Sequence, residues 1–242
     1  MANIINALRN ISSDSWWFVK IAVMTIPVFY FFENTSPASF DFNMMLPYFI
    51  LFAILYLGVV AVLMHRNIAN ESPLLPSLFS IPDFIKKAIG LSVVSLPMYI
   101  LYFYLMYYVY NNFEFETYMM LIIYIGITLL CAPFIFIPSV LYCVHCKISD
   151  AFNFKIILEA GGNFVVQFLA FIIQYFFTIF LLTLLFFHMF KNMLEDSMFL
   201  NLTVSISFVV SLLTIYSYCS DLYGDVIPQI KKKKKQVKKE DS

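Results

Sequence analysis

Hydrophobic positions in this chain fall in long unbroken runs separated by short polar gaps, without the strict alternation of a strand. Six runs stand out, at about residues 16–32, 44–64, 88–110, 118–141, 164–189 and 199–218. At about 1.5 Å per residue such runs cross a hydrocarbon core of roughly 30 Å, the first of them at the lower limit. The pattern predicts an all-α polytopic integral membrane protein with six transmembrane helices in one domain, residues 1–225, followed by a tail, 226–242. Lys20, near the start of the first run, is placed to snorkel towards the headgroups.

Composition sharpens that class. Hydrophobic residues make up 62% of the chain and charged residues 12%, with a mean hydropathy of +0.83. One soluble core of this length does not bury so much apolar surface, so lipid covers the remainder. A membrane β-barrel is excluded because the runs are continuous and do not alternate in and out.

The formal net charge is zero, but the signs are segregated. Arg9, Arg66, Lys86, Lys87, Lys147, Lys155 and the tail lysines Lys231, Lys232, Lys233, Lys234, Lys235, Lys238 and Lys239 fall on one side of the runs. The opposite loops, 33–43, 111–117 and 190–198, hold only Lys191, with Glu33, Asp41, Glu114, Glu116, Glu195 and Asp196. The positive-inside rule then puts both termini in the cytoplasm of a plasma or bacterial inner membrane. Only Asn34 of the sequons at Asn10, Asn34, Asn70 and Asn201 lies in an outside loop. The first run reads as a retained span, since no convincing small-residue cleavage site follows Phe32. Before it, a short interfacial segment turns Ile4, Ile5, Leu8 and Ile11 towards lipid, and Trp16 and Trp17 supply an aromatic belt.

Three entry segments share a pattern: ISSDSWWFVKIAV, FSIPDFIKKAIGL and KISDAFNFKIILEA. Asp14, Asp83 and Asp150 recur at intervals of 69 and 67 residues, and Lys20, Lys87 and Lys155 at 67 and 68. This period predicts three repeated units, each an interfacial amphipathic segment plus a helix pair. The bland alternative is that every inside loop needs a cap, aromatics and a lysine. In the third unit Ser149 or Asp150 caps a helix whose stripe is Phe152, Ile156 and Ala160, and Gly161 and Gly162 break it before the fifth span. The second, with Pro73, Pro76 and Pro82, reads as a loop and one short helix.

Chemistry-bearing residues are sparse. The span interiors carry no acidic residue, whereas ion-coupled transporters place charge there. Gln167 and Gln174, seven apart, line either a polar seam or a helix-packing contact. Pro27, Pro47, Pro97, Pro133 and Pro138 interrupt spans, and the stretch between Pro133 and Pro138 is a candidate for local unwinding around a cavity. Cys143, His145 and Cys146 offer a weak metal site, with packing or palmitoylation as the plainer readings. Cys131 reads as an apolar filler, and His65 and Cys219 also fall at cytoplasmic helix ends. Pro228 should stop the last helix, leaving a disordered lysine tail that attracts anionic headgroups at about 1 kcal/mol per lysine. No nucleotide loop, zinc-protease motif, nucleophile elbow or catalytic dyad is present. The expectation is therefore no cofactor, no nucleic-acid partner, and contacts with membrane lipids and either a membrane-protein partner or a second copy.

The segments SDSWWFVKI, LPSLFSIPDFIKKAIG and KISDAFNFKIILEAGGNFVVQFL resemble the membrane proteins grouped as domain of unknown function 4013. More distantly, they resemble the membrane domain of some glycerophosphodiester phosphodiesterases. The resemblance covers about residues 10–225 and implies six spans, but it carries no catalytic residue to transfer. Three function classes follow, in order of preference. The first is a scaffold or accessory subunit without catalysis of its own. The second is a transporter or lipid-handling protein with a proline-broken cavity. The third is a lipid-acting enzyme at the cytoplasmic face, built around Cys143–Cys146.

Overall fold

A computed structural model describes the backbone over residues 3–34, 42–71, 75–76, 81–113, 117–190 and 197–240. Within these stretches the side chains at 34, 42–54, 81, 83, 117, 179–180, 182–190, 197 and 223–240, the lysines of the tail among them, lie outside the described set. Among the described residues the chain is all helix: α1 (Ile4–Ser12), α2 (Trp17–Asn34), α3 (Phe42–Ala69), α4 (Ile81–Asn112), α5 (Thr117–His145), α6 (Ile148–Ala151), α7 (Phe154–Phe190) and α8 (Ser197–Glu240). Four of these, α4, α5, α7 and α8, are long and apolar enough to cross a membrane. Helices α1 and α2 pass the same test together, as a pair bent by 98°. The protein is a helical multi-pass membrane protein.

α1 begins at Asn3, whose side chain accepts the amide of Ile5 at 3.2 Å and satisfies an orphan donor of the first turn. Its buried stripe is Ile4, Ala7 and Ile11, spaced to share one helical face, and it packs on α8. The expected lipid-facing set is thereby corrected. Ile4 and Ile11 point into the bundle, Leu8 leans on the same core, and Ile5 alone is 67% exposed. Ala7 is small enough for its carbonyl to accept from the Ser217 hydroxyl of α8 at 3.4 Å.

The elbow into α2 turns on Asp14, buried at 2% exposure. One carboxylate oxygen accepts the Trp16 amide at 2.9 Å and the other meets the Lys20 ammonium at 2.5 Å. Lys20 therefore does not snorkel outward. A carboxylate buried this deeply is strongly unfavourable without a cation, and Lys20 on the next turn is within reach. Trp16 and Trp17 stay exposed at the elbow.

α3 is the central helix, and residues 56–64 are all buried, as expected of a helix enclosed on every side. It ends in a Schellman turn: Asn70 sits at φ 56°, the Glu71 amide donates to Arg66 (2.8 Å), and the Asn70 amide donates to Asn67 (3.2 Å). Two close approaches lock α3 and α5 to α4. A side-chain carbon added at Gly58 would lie 2.5 Å from the Phe84 ring, and one at Gly90 would overlap Tyr142.

Three sequence expectations about helix breaks are corrected. Residues 134–137 of α5 remain helical between Pro133 and Pro138, with Ile135, Phe136 and Ile137 buried against neighbours that hold the segment in shape. α4 runs unbroken from Ile81, because Pro82 occupies the first turn, where a missing amide proton leaves no bond unmade. α7 passes straight through Gly161 and Gly162, each a loss of roughly 1 kcal/mol in propensity that packing outweighs. The break falls earlier, at Phe152–Asn153, where the Asn153 side chain caps α7 by accepting the Ile156 amide at 3.3 Å. Phe152 is consequently exposed and Ile157 takes its place in the inward stripe with Ala160. The entry segments thus take different forms, and the Asp14–Lys20 pair is not copied in the third, where Asp150 meets His145. The bounds of α8 run past Pro228, where the sequence predicts a stop.

The core runs around α3 and draws on α1, α2, α4, α5, α7 and α8, with an aromatic ladder on its α5–α7–α8 side. Phe164, Phe168, Phe171 and Tyr175 stack along α7 with ring centroids 5.5, 6.0 and 5.5 Å apart. Phe136 of α5 meets Phe168 at 5.2 Å, and Tyr218 of α8 meets Phe171 at 4.4 Å. Lipid is as apolar as these rings, so close packing rather than exclusion from water holds them together.

Candidate functional site

The richest polar assembly lies at the end of the bundle where α1, α3 and α8 meet, close to Arg9 and Arg66; we call it the basic end. The Asn67 carboxamide donates to Asp221 at 2.8 Å, to Ser220 at 2.6 Å and to the Ser217 carbonyl at 3.4 Å. Asn10 of α1 reaches the same Asp221 oxygen and the Asn67 oxygen, both at 3.4 Å. A carboxylate accepting from two carboxamides ties three helices that are far apart in sequence. Beside it, the guanidinium of Arg66 donates to the Leu75 carbonyl at 2.9 Å and Lys20 approaches that oxygen at 3.4 Å. Leu75 is fully buried, so these two cations pin a loop residue into the bundle end.

The cysteine cluster sits near this assembly but does not converge. Cys143 is buried, while Cys146 caps α5 in the left-handed region (φ 53°), its amide donating to Tyr142 at 2.7 Å. His145 turns away to Asp150 at 3.1 Å. His65 of α3 approaches instead, with Nδ1 2.7 Å from the Cys143 carbonyl and 3.9 Å from the Cys146 sulfur. A carbonyl oxygen only accepts, so Nδ1 carries the proton and is not a base for the Cys146 thiol. No group of three metal-ligating side chains gathers among the described residues.

Within the spans, tyrosine hydroxyls join the helices. Tyr56 donates to the Met24 carbonyl in α2, one residue past the carbonyl that Pro27 leaves without its usual donor. Tyr99 of α4 bonds Tyr216 of α8, and Tyr175 of α7 bonds Ser211 of α8. Tyr102 meets Thr128 at 3.1 Å, Tyr142 meets the Lys87 carbonyl at 3.3 Å, and Tyr218 meets the Gln167 carbonyl at 3.1 Å. The two glutamines fare differently: Gln167 is half-buried and Gln174 is exposed. Pro133 is buried beside Gly161 of α7, 3.9 Å from where a side chain there would begin, and Pro138 is buried in the same helix. The lysines Lys231 to Lys235, Lys238 and Lys239 fall outside the described side chains.

A reading of the sequence alone misses Asn67, Asp221 and the tyrosine hydroxyls. The available signal was position: Asn10, Asn67 and Asp221 each lie a few residues beyond the basic end of an apolar run, where an amide or carboxylate can meet others without entering lipid. Comparison with protein-family models, curated proteins and solved structures finds no match to this chain.

Proposed function

We propose that the protein is an integral membrane scaffold or accessory subunit without a reaction of its own, acting by presenting its surfaces to lipid and to a partner. The observation that carries this reading is the use made of the polar side chains at the basic end. Asn10, Asn67, Ser217, Ser220 and Asp221 spend their hydrogen bonds joining α1, α3 and α8, while Asp14, Lys20 and Arg66 spend theirs on the α1–α2 elbow and the Leu75 loop. Around them, exposed apolar bulk and exposed charge face outward together: Ile85 and Ile89 beside Lys86, Phe154 and Leu158 beside Lys155, and Trp16, Phe18 and Arg9 on α1, α2 and the elbow between them. Such a rim suits the headgroup region of an anionic leaflet.

The reading includes six spans, formed by α2, α3, α4, α5, α7 and α8, with both termini on the cytoplasmic side of a plasma or bacterial inner membrane. Charge segregation supports the orientation, and the regular spacing of the entry segments supports descent from a repeated unit. The resemblance to the domain of unknown function 4013 group fits the same architecture. The tail lysines add attraction to anionic lipid.

Native mass spectrometry on protein extracted in a mild detergent from its own membrane tests the proposal. A stoichiometric membrane-protein partner or retained anionic lipid is the expected result. Turnover of a lipid substrate by the purified chain in nanodiscs, abolished by Cys146→Ser, would overturn it in favour of an enzyme.

A further inference from the structure

The face of α7 turned away from the aromatic ladder is unusual for a helix that meets lipid. Asn163, Val166, Ala170 and Gln174 are all exposed, and their spacing places them within an arc of about 80° at 100° per residue. Gln174 lies ten residues, or about 15 Å, inward from Phe164, where the apolar run begins; that is close to the middle of a core of roughly 30 Å. Its backbone carbonyl accepts from Thr178 at 2.8 Å, but its side chain makes no hydrogen bond with any described residue. A carboxamide carries two donors and an acceptor oxygen, and lipid tails satisfy none of them. Gln174 is too short to reach the headgroups, a route open to lysine and arginine.

We propose that this face packs against the same face of a second copy of the chain, with Gln174 hydrogen-bonded to Gln174 across a two-fold axis along the membrane normal. Two features favour a second copy over an unrelated span. First, copies inserted with the same topology place their α7 helices parallel and in register, so the two carboxamides meet at one depth. Second, a carboxamide is self-complementary: each donates a proton to the other's oxygen, and both are satisfied by one contact. Ala170, one turn away on the same arc, keeps the helices close enough for that contact, as small residues do at membrane interfaces. The arrangement extends the proposed scaffold function to a dimer. It rests only on α7 being a span, which labelling of single cysteines at Lys155→Cys and Met198→Cys, on either side of it, from the two faces of sealed vesicles reads independently.

The test is disulfide cross-linking of the full-length Ala170→Cys chain in native membrane vesicles. Wild type and Ile100→Cys, on the exposed face of α4, serve as controls. A homodimer band specific to Ala170→Cys is expected. Adding Gln174→Leu should raise the dimer dissociation constant in nanodiscs roughly three- to twentyfold. Ala170→Phe, which keeps the amide but blocks close approach, should abolish the cross-linked state detected through Val166→Cys. A cross-link to a different protein, no cross-link at Ala170, or an unchanged dissociation constant in Gln174→Leu would each overturn the proposal.

Discussion

The two halves of a single helix differ in how much protein covers them. In α5, residues 118–130 include no buried position, whereas between 131 and 143 only Phe134 is not fully buried. α8 repeats the contrast: Ser205 alone is buried among 198–208, while most of 209–222 is enclosed. Both halves are apolar, so hydrophobicity does not decide which one packs. Position relative to the basic end does, because α1, the Leu75 loop and the Asn67–Asp221 clasp gather the helices there. At the other end a polar tie runs from Asn201 of α8 to Glu33 of α2 at 2.9 Å. In a membrane the hydrophobic effect does not press helices together, and packing follows shape and hydrogen bonds.

The largest expected contrast is between two phenylalanines of α7. Phe171→Ala removes a ring at the centre of the ladder and should destabilise the bundle by about 3 kcal/mol, at the low end of the range for large cavities because the lipid-transfer contribution is missing. Phe176→Ala, 66% exposed, should stay within about 0.5 kcal/mol. Denaturation in mixed micelles measures both, and equal effects would erase the difference between inner and outer faces.

Glycines sharpen the same comparison at the backbone. Gly90→Ala forces a methyl group into the Tyr142 ring and should destabilise by about 2 kcal/mol. Gly126→Ala, in the open half with no atom within 4 Å, should be neutral or gain up to about 1 kcal/mol of helix propensity.

At the clasp, Asn67→Ala should weaken the bundle by about 1 kcal/mol and loosen α1 in particular. Hydrogen exchange at Ile4–Ser12 reads that release directly, and unchanged protection would show that Ile4, Ala7 and Ile11 hold α1 alone. The smallest effect belongs to the tyrosine bridges: Tyr102→Phe should lose about 0.6 kcal/mol, typical of one interhelical hydrogen bond in a bilayer.

The helical membrane class was legible in the sequence because continuous apolar runs have one physical outcome in lipid. Where helices end was much less so. Gly161, Gly162, Pro133 and Pro138 look like breakers by local propensity, yet packing keeps their helices intact, and a single asparagine cap at Asn153 sets the real boundary. Lys20 and Ile4 differ from expectation for a related reason. Position in the chain alone points both towards the membrane, while Asp14 and α8 supply protein partners visible only once the elbow has formed. Of the chemistry-bearing residues, Cys143, His145 and Cys146 are neighbours in sequence but point to different partners. The clasp residues are neighbours only in space, which no spacing rule detects.

Orientation is the claim on which the proposed function depends most. It is measured by labelling single cysteines with an impermeant maleimide in sealed vesicles, in a Cys146→Ser background. Ser12→Cys, Glu71→Cys and Lys147→Cys should react only from the cytoplasmic side, and Glu33→Cys and Phe113→Cys only from the opposite side. Finding Ser12 and Glu71 on opposite sides would mean that α2 and α3 do not cross as a pair, contradicting the six-span account.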